Sequence, residues 1–168
     1  MAGALIITAE IGERDFSSID QLRRENYPAD RNRLPAHLTL FYALPPSAER
    51  EARQTLARIS SDPPPRASLE GFMDLGGGVA FRVVSKDLDR IRDELADRFC
   101  GLLSAQDIGG WRPHITIQNK VRPRAARELK ACLEAGFRPR PLQIKGLGLY
   151  RYLDGPWEKV ASYSFHGS

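Results

Sequence analysis

The sequence lacks the features of an extracellular or membrane protein. Its two cysteines, Cys100 and Cys132, have no C-x-x-C spacing, which argues against a disulfide framework or a thiolate metal site. No apolar run approaches the length of a membrane-spanning helix. The amino-terminal run has no basic segment, and Thr8 and Glu10 interrupt it, so it predicts a β-strand and not a signal peptide. We therefore expect a cytoplasmic protein with no membrane partner.

Basic residues are in slight excess, and most of them are arginine. The chain has 25 Lys and Arg against 21 Asp and Glu, and only five of the basic residues are Lys. The planar guanidinium of Arg matches phosphate, although a net charge of +4 does not by itself indicate nucleic-acid binding, and a GC-rich coding bias gives the same excess. A length of 168 residues with 42% hydrophobic residues predicts one globular domain over residues 1–168, which we expect to be a monomer.

Periodicity predicts an α+β order of strand, helix, strand, helix, strand that occurs twice, with one extra strand at the end. Gly76-Gly77-Gly78 predicts a hairpin turn; it is not a phosphate-binding loop, because no helix with Lys and Ser or Thr follows it. The predicted strands cover about 4–11, 37–44, 67–75, 79–84, 114–121, 142–152 and 158–165, and the predicted helices about 17–26, 46–60, 87–99 and 124–136.

The two halves of the chain resemble each other in sequence. At an offset of 77, HLTL (37–40) lies over HITI (114–117), and five residues of the following turn and helix also match. At an offset of 75, LEGF (69–72) lies over IKGL (144–147). The sequence therefore predicts an internal duplication over about residues 1–75 and 76–168 with pseudo-two-fold symmetry. A site between the halves would receive one contribution from each.

The repeat supplies His-x-Thr twice. Because side chains alternate along a strand, His37 and Thr39 share one face, as do His114 and Thr116, while the intervening Leu and Ile residues face the core. The four polar groups are expected to converge in a cleft. Histidine titrates near neutral pH, so two imidazoles can act as general acid and general base, and Thr hydroxyls can donate to phosphate oxygens.

This combination fits phosphodiester chemistry, in which one His removes a proton from the nucleophile and the other protonates the leaving oxygen. A metal-assisted mechanism fits less well, because there is no third His in a comparable motif and no carboxylate within either motif. We therefore expect no metal and no cofactor. The third histidine, His166, lies near the end of the chain and is expected to be structural or exposed.

The paired motifs HLTL and HITI in a duplicated chain resemble the 2H phosphoesterase superfamily, and in particular its bacterial 2′-5′ RNA ligase-like branch, also described as RNA 2′,3′-cyclic phosphodiesterases. The resemblance implies a bilobal fold with two antiparallel sheets around a central cleft and helices outside. It also implies catalytic roles for His37, Thr39, His114 and Thr116. Family members open 2′,3′-cyclic phosphates to 2′-phosphates, or make and cleave 2′-5′ linkages, without a metal. The implied substrate is an RNA end or a small nucleotide.

Residues outside the motifs are candidates for substrate binding. By alternation Phe41 shares the face of His37 and Thr39 and could stack on a base, and its counterpart Gln118 could hydrogen bond substrate. Arg112, Tyr150 and Arg151 could contact phosphate or base, and the alternative for them is surface arginine and core aromatic.

Two other functions remain open. The chain could be a binding module that recognises RNA ends and catalyses no reaction. Alternatively, it could be a cyclic phosphodiesterase for a small metabolite, with no role in RNA metabolism. Wild-type affinity for RNA ends without product formation would favour the first, and turnover restricted to small cyclic phosphates would favour the second.

Overall fold

A computed structural model describes residues 3–166, which form seven β-strands, five α-helices and one short 3₁₀-helix. The strands are β1 (Leu5–Ile11), β2 (Leu38–Leu44), β3 (Arg66–Asp74), β4 (Val79–Val84), β5 (His114–Gln118), β6 (Arg140–Tyr152) and β7 (Trp157–Ser164). The α-helices are α1 (Glu13–Asn26), α2 (Glu49–Ile59), α3 (Lys86–Arg98), α4 (Ala105–Ile108) and α5 (Pro123–Glu134), and the 3₁₀-helix (Pro46–Ala48) precedes α2.

The predicted α+β class with antiparallel strands is confirmed. The strands are hydrogen bonded in the order β2-β1-β6-β3-β4-β5, and β7 pairs with β6 outside this path. The two predicted sheets are therefore the two halves of one array. They are joined because β6, at 13 residues, is long enough to pair with β1 and β7 along one part and with β3 along another.

The strand order reads the same from either edge if β1, β2 and β3 are matched with β4, β5 and β6. Each half thus contributes one strand to the sheet of the other half. Ala67 on β3 and Leu142 on β6 are matched positions at the offset of 75, and they are also direct partners in the antiparallel register. A pseudo-two-fold axis passes between these two residues, which supports the proposal that the chain is a duplication.

The core is built from the apolar faces of the strands. Leu38, Leu40, Ile115 and Ile117, which alternate with the residues of the two motifs, are fully buried. Burial of each such side chain contributes about 1.5–3 kcal/mol to stability. The hairpin predicted at the three glycines is confirmed, since β3 and β4 are antiparallel partners on either side of 76–78.

Three elements differ from the prediction. β5 ends at Gln118, three residues before the predicted end at Val121. α1 begins at Glu13, earlier than the predicted start at Ser17, and its N-cap is Gly12 without a side-chain cap. The first turn is held from outside the helix, because Asp15 accepts a hydrogen bond from the Gln143 amide. The short α4 is absent from the predicted helices, and Ser104 caps it by accepting a hydrogen bond from the Asp107 amide.

Over residues 3–166, no helix combines the length and the apolar character needed to cross a membrane.

Candidate active site

The two motif histidines are held in the same way. His37 immediately precedes β2, and its Nδ1 is 2.8 Å from the carbonyl oxygen of Pro35. His114 is the first residue of β5, and its Nδ1 is 2.7 Å from the carbonyl oxygen of Arg112. The carbonyl in each case lies two residues before the histidine, so the two contacts are related by the offset of 77.

This contact assigns the tautomer of each neutral ring. A carbonyl oxygen accepts only, so Nδ1 carries the proton and Nε2 carries the lone pair. Among residues 3–166, no group hydrogen bonds to either Nε2. Both rings therefore present the atom that can accept a proton from, or return one to, a substrate.

The His37 imidazole lies in a cleft and is only partly exposed. Its pKa is lowered from 6.5 to about 4, mainly by burial; the contact with the Pro35 carbonyl opposes this lowering, and Arg23 and His114 add smaller effects in the same direction as burial. The two motif strands, β2 and β5, contact each other, which places the two motifs side by side. At neutral pH the His37 ring of the free protein is uncharged.

The hydroxyl of Thr39 is poorly satisfied. Thr39 is 5% exposed, and within the described part of the chain its Oγ1 makes no well-formed hydrogen bond, although the Tyr42 hydroxyl lies near it. An unpaired buried hydroxyl costs stability, on the order of 1–3 kcal/mol, so its presence indicates a requirement beyond folding. Thr116, its counterpart, is half-buried.

Each half of the chain holds the motif strand of the other half with a buried arginine. Arg23 on α1 donates from Nη1 to the carbonyl of Thr116 on β5 at 2.8 Å. Arg92 on α3 donates from Nε to the carbonyl of Leu40 on β2, also at 2.8 Å. Both side chains are buried, and burial lowers the pKa of each guanidinium.

β2 is an edge strand, and residues of the second half satisfy its outer hydrogen-bonding groups. The Asp107 carboxylate accepts from the amides of Tyr42 and Ala43 at 2.9–3.1 Å. Trp111 Nε1 donates to the Thr39 carbonyl at 3.1 Å. The backbone beside His37 is therefore fixed by side chains that lie more than sixty positions away in the sequence.

The structure contradicts the expected stacking role of Phe41. A β-bulge at Leu40 shifts the register, so that Ile7 faces Phe41 while Thr8 faces Thr39. The bulge breaks the alternation on which the prediction rested. Phe41 is fully buried, with the Arg92 guanidinium 4.0 Å from its ring centre, and no base can reach it.

The same bulge occurs in the second half. On β5, Ala80 faces Thr116 while Val79 faces Gln118, so Ile117 is the extra residue, 77 positions after Leu40. Gln118 is 7% exposed, and among the described residues its Oε1 has no hydrogen-bond partner. Gln118 is therefore mostly buried, with an acceptor oxygen left unsatisfied as the hydroxyl of Thr39 is, and its contact with substrate stays a prediction.

The three remaining candidates lie in different places. Tyr150 lines the same cleft as His37. Arg151 faces the opposite side of β6, where Glu49 and Glu158 pair with its guanidinium, so it does not line the cleft of His37 and its substrate contact stays a prediction. The Arg112 side chain lines a separate surface groove, and it is the Arg112 carbonyl that contacts the motif histidine.

The cleft beside His37 contains residues that the prediction missed. It has a volume of about 400 Å³, and its lining includes Thr8, Glu10 and Trp157 besides His37 and Tyr150. Thr8 and Glu10 share one face of β1 by alternation, and Thr8 pairs with Thr39. The signal was present in the sequence as the two polar residues that interrupt the first apolar run.

The fold and the two histidine-bearing strands define an α+β protein of the two-histidine type. The sequence matches the 2′-5′ RNA ligase superfamily over residues 10–156, and the chain belongs to that family. None of the curated proteins matches the sequence.

Solved structures share the fold over essentially the whole chain. TT0787 of Thermus thermophilus is 17% identical with a TM-score of 0.67, over 98% of this chain and 99% of that chain. E. coli LigT complexed with 3′-AMP is 14% identical with a TM-score of 0.65, over 99% of this chain and 100% of LigT. A protein described as a phosphoesterase is 16% identical with a TM-score of 0.63, over 99% of this chain and 100% of that chain.

Proposed function

We propose that this chain is a phosphodiesterase that hydrolyses 2′,3′-cyclic phosphate, or makes and cleaves 2′-5′ bonds, on RNA ends or nucleotides. His37 and His114 are the acid–base pair. The observation that carries the proposal is the repeated contact of each Nδ1 with the carbonyl two residues earlier, which leaves both Nε2 atoms available. If the two histidines had only structural roles, there would be no reason for both to make the same backbone contact at matched positions of the two halves.

The reaction requires two proton transfers. Water attacks phosphorus while one imidazole removes its proton through Nε2, and the bond from phosphorus to one ribose oxygen breaks. The other imidazole enters protonated and gives its proton to that departing oxygen, so the product is a phosphomonoester beside a free hydroxyl. The two histidines then exchange protonation states with solvent before the next turnover.

The threonines would stabilise the charge that develops on phosphorus. The unpartnered Thr39 hydroxyl, two residues after His37, can donate to a non-bridging oxygen, and Thr116 occupies the matched position after His114. Such a ligand would relieve the cost of the unpaired hydroxyl in the empty site.

The similar structures support a nucleotide substrate. E. coli LigT has been crystallised in complexes with 3′-AMP, NADP⁺ and ATP. The buried arginine behind each motif strand adds positive charge near the site, which favours a phosphate anion.

The test compares three substrates: a 2′,3′-cyclic mononucleotide, an oligoribonucleotide with a 2′,3′-cyclic end, and a 2′-5′-linked dinucleotide. We expect opening of the cyclic phosphates to 2′-phosphates, with turnover unchanged by EDTA. Binding of the oligonucleotide without product over a range of pH would instead identify a binding module. If the protein turned over none of the three substrates but did turn over a small non-nucleotide cyclic phosphate, it would be a metabolite phosphodiesterase.

A further inference from the structure

The cleft beside His37 extends well beyond the imidazole. Its volume of about 400 Å³ lies within the range of small-molecule sites, and residues of β1, β6 and β7 form one side of it. The acid–base reaction itself uses only the edge of this space at His37. The remainder is available for the part of a nucleotide that does not react.

One wall of the cleft is aromatic. The Trp157 ring is 4.8 Å from the His37 ring and 5.7 Å from the Tyr150 ring, measured between ring centres. Trp157 is half-buried, so part of the indole is open to the cleft. An accessible indole next to the reacting group is a platform on which a base can stack.

Beside this wall lies the carboxylate of Glu10, which has spare capacity to accept hydrogen bonds. Tyr150 Oη is 3.2 Å from Oε1 and 3.3 Å from Oε2, while Ser162 Oγ and the Lys159 ammonium are 3.4 and 3.5 Å from Oε1. All four distances are long for hydrogen bonds to a carboxylate. A carboxylate has about four acceptor positions, and Oε2 receives only the Tyr150 hydroxyl.

Thr8 supplies a second observation. It lines the cleft and is 2% exposed, yet its Oγ1 makes no well-formed hydrogen bond among residues 3–166, although the Tyr150 hydroxyl that contacts Glu10 lies near it. Thr8 and Glu10 are next-but-one neighbours on the same face of β1, so a hydroxyl and a carboxylate are presented side by side. An unpaired hydroxyl beside an unsaturated carboxylate indicates a polar ligand that supplies both donors and an acceptor.

We propose that the cleft formed by Trp157, Glu10 and Thr8 is a nucleobase subsite that selects guanine. The proposal rests on the proposed function, because its ligand is the base of the nucleotide whose phosphate reacts at His37. Guanine carries two adjacent N–H donors, at N1 and at the 2-amino group, which match the two oxygens of a carboxylate. Its O6 lies next to these donors and can accept from the Thr8 hydroxyl.

The other bases match this pair of groups less well. Adenine and cytosine place a ring-nitrogen acceptor beside their amino group, which would face an oxygen of Glu10. Uracil has one N–H between two carbonyl oxygens, and both oxygens would be repelled by the carboxylate. Stacking on Trp157 is available to all four bases, so discrimination depends on Glu10.

The experiment measures kcat/KM for the 2′,3′-cyclic phosphates of guanosine, adenosine, cytidine and uridine. For the wild type we expect guanosine to be preferred by roughly 10- to 100-fold, the usual range for a good bidentate contact with a base. Glu10→Gln should lose most of this preference, because an amide offers only one acceptor oxygen. Trp157→Leu should lower kcat/KM for all four substrates by a similar factor. The matched control is Glu158→Gln, since Glu158 follows Trp157 but pairs with Arg151 on the other face.

Calorimetric binding of 3′-GMP and 3′-AMP to the wild-type protein separates this proposal from the proposed function. Tighter binding of 3′-GMP that Glu10→Gln abolishes would support the subsite even if no cyclic phosphate were turned over. Equal turnover of all four cyclic phosphates, with equal binding of the two monophosphates, would overturn the subsite and leave the phosphodiesterase intact.

Discussion

Arg23 and Thr116 are 93 positions apart in the chain, and Nη1 of Arg23 donates a 2.8 Å hydrogen bond to the Thr116 carbonyl. Its Nε also donates to Asn32 Oδ1 at 2.9 Å, so one buried guanidinium joins the loop before the first motif to the strand of the second. The same charge lowers the pKa of His37. Arg23 therefore couples the position of one motif to the electrostatics of the other.

The change Arg23→Met should affect both properties. The change removes two hydrogen bonds and leaves their acceptor oxygens unpaired, which should lower the free energy of unfolding by on the order of 2 kcal/mol. Removal of the cation should raise the pKa of His37 towards its ordinary value. Urea denaturation measures the first effect and an NMR titration of the His37 ring measures the second. Arg24→Met, at the neighbouring exposed position, is the control. An unchanged His37 pKa in Arg23→Met would contradict the electrostatic coupling.

Replacement of either motif histidine should abolish most activity. We expect His37→Ala and His114→Ala each to lower turnover of a 2′,3′-cyclic nucleotide by about 10²- to 10⁴-fold, the usual effect of a lost general acid or base. Circular dichroism should show an unchanged fold. His166→Ala is the control, because the contact of His166 with the rest of the chain is made by its backbone amide at the end of α2. Full activity in either motif variant would rule out the acid–base pair.

The lowered pKa of His37 predicts a specific dependence of stability on pH. Between its ordinary pKa of 6.5 and its folded pKa of about 4, the unfolded chain binds a proton that the folded ring does not. Protonation then favours the unfolded state, so the free energy of unfolding decreases as pH falls through this window, by up to about 3 kcal/mol at its acidic end. Denaturation at several pH values should show this loss in the wild type and a smaller loss in His37→Gln. Parallel curves for the two proteins would show that His37 does not titrate in this way.

Local sequence patterns predicted the elements and the pairing of the two motifs. Alternation placed Leu38 and Ile115 in the core, and the offset of 77 matched two histidines that the structure holds by matched carbonyls. These features depend on residues that are close in the chain or related by the repeat.

The prediction was wrong where a local pattern was overridden. The bulge at Leu40 directs the Phe41 side chain towards the core. Alternation within one strand cannot reveal such a bulge, because a bulge is defined by the pairing with the neighbouring strand. Arg23 and Arg92 were missed because their partners are carbonyls of distant strands. Trp157 was missed because only strand pairing brings the end of the chain beside His37.

A glycine on β6 keeps the proposed subsite open. A Cβ at Gly148 would lie 2.5 Å from Glu10 Oε1, 2.7 Å from Thr8 Oγ1 and 2.8 Å from Tyr150 Cε1. Gly148→Ala should therefore displace Glu10 and Tyr150, weaken nucleotide binding and lower stability by about 1–3 kcal/mol, the usual cost of overpacking. Gly136→Ala, where a Cβ meets nothing within 4 Å, is the control. Calorimetric titration with 3′-GMP and urea denaturation measure the two effects, and wild-type binding by Gly148→Ala would show that these three groups are not needed at the subsite.

The unpartnered hydroxyl of Thr39 allows function and stability to be separated. Valine has nearly the same shape as threonine without the hydroxyl, so Thr39→Val removes a buried group that makes no well-formed hydrogen bond within residues 3–166. Its free energy of unfolding should be unchanged or higher by about 1 kcal/mol, while turnover falls because a donor to the phosphate is lost. Thr39→Ser keeps the hydroxyl and should retain most activity although it loses a buried methyl group. A Thr39→Val protein with wild-type turnover would show that the hydroxyl does not contact the reacting phosphate. If instead Thr39→Val were clearly destabilised, the hydroxyl would have to be satisfied within the folded protein, and its availability to a ligand would be disproved.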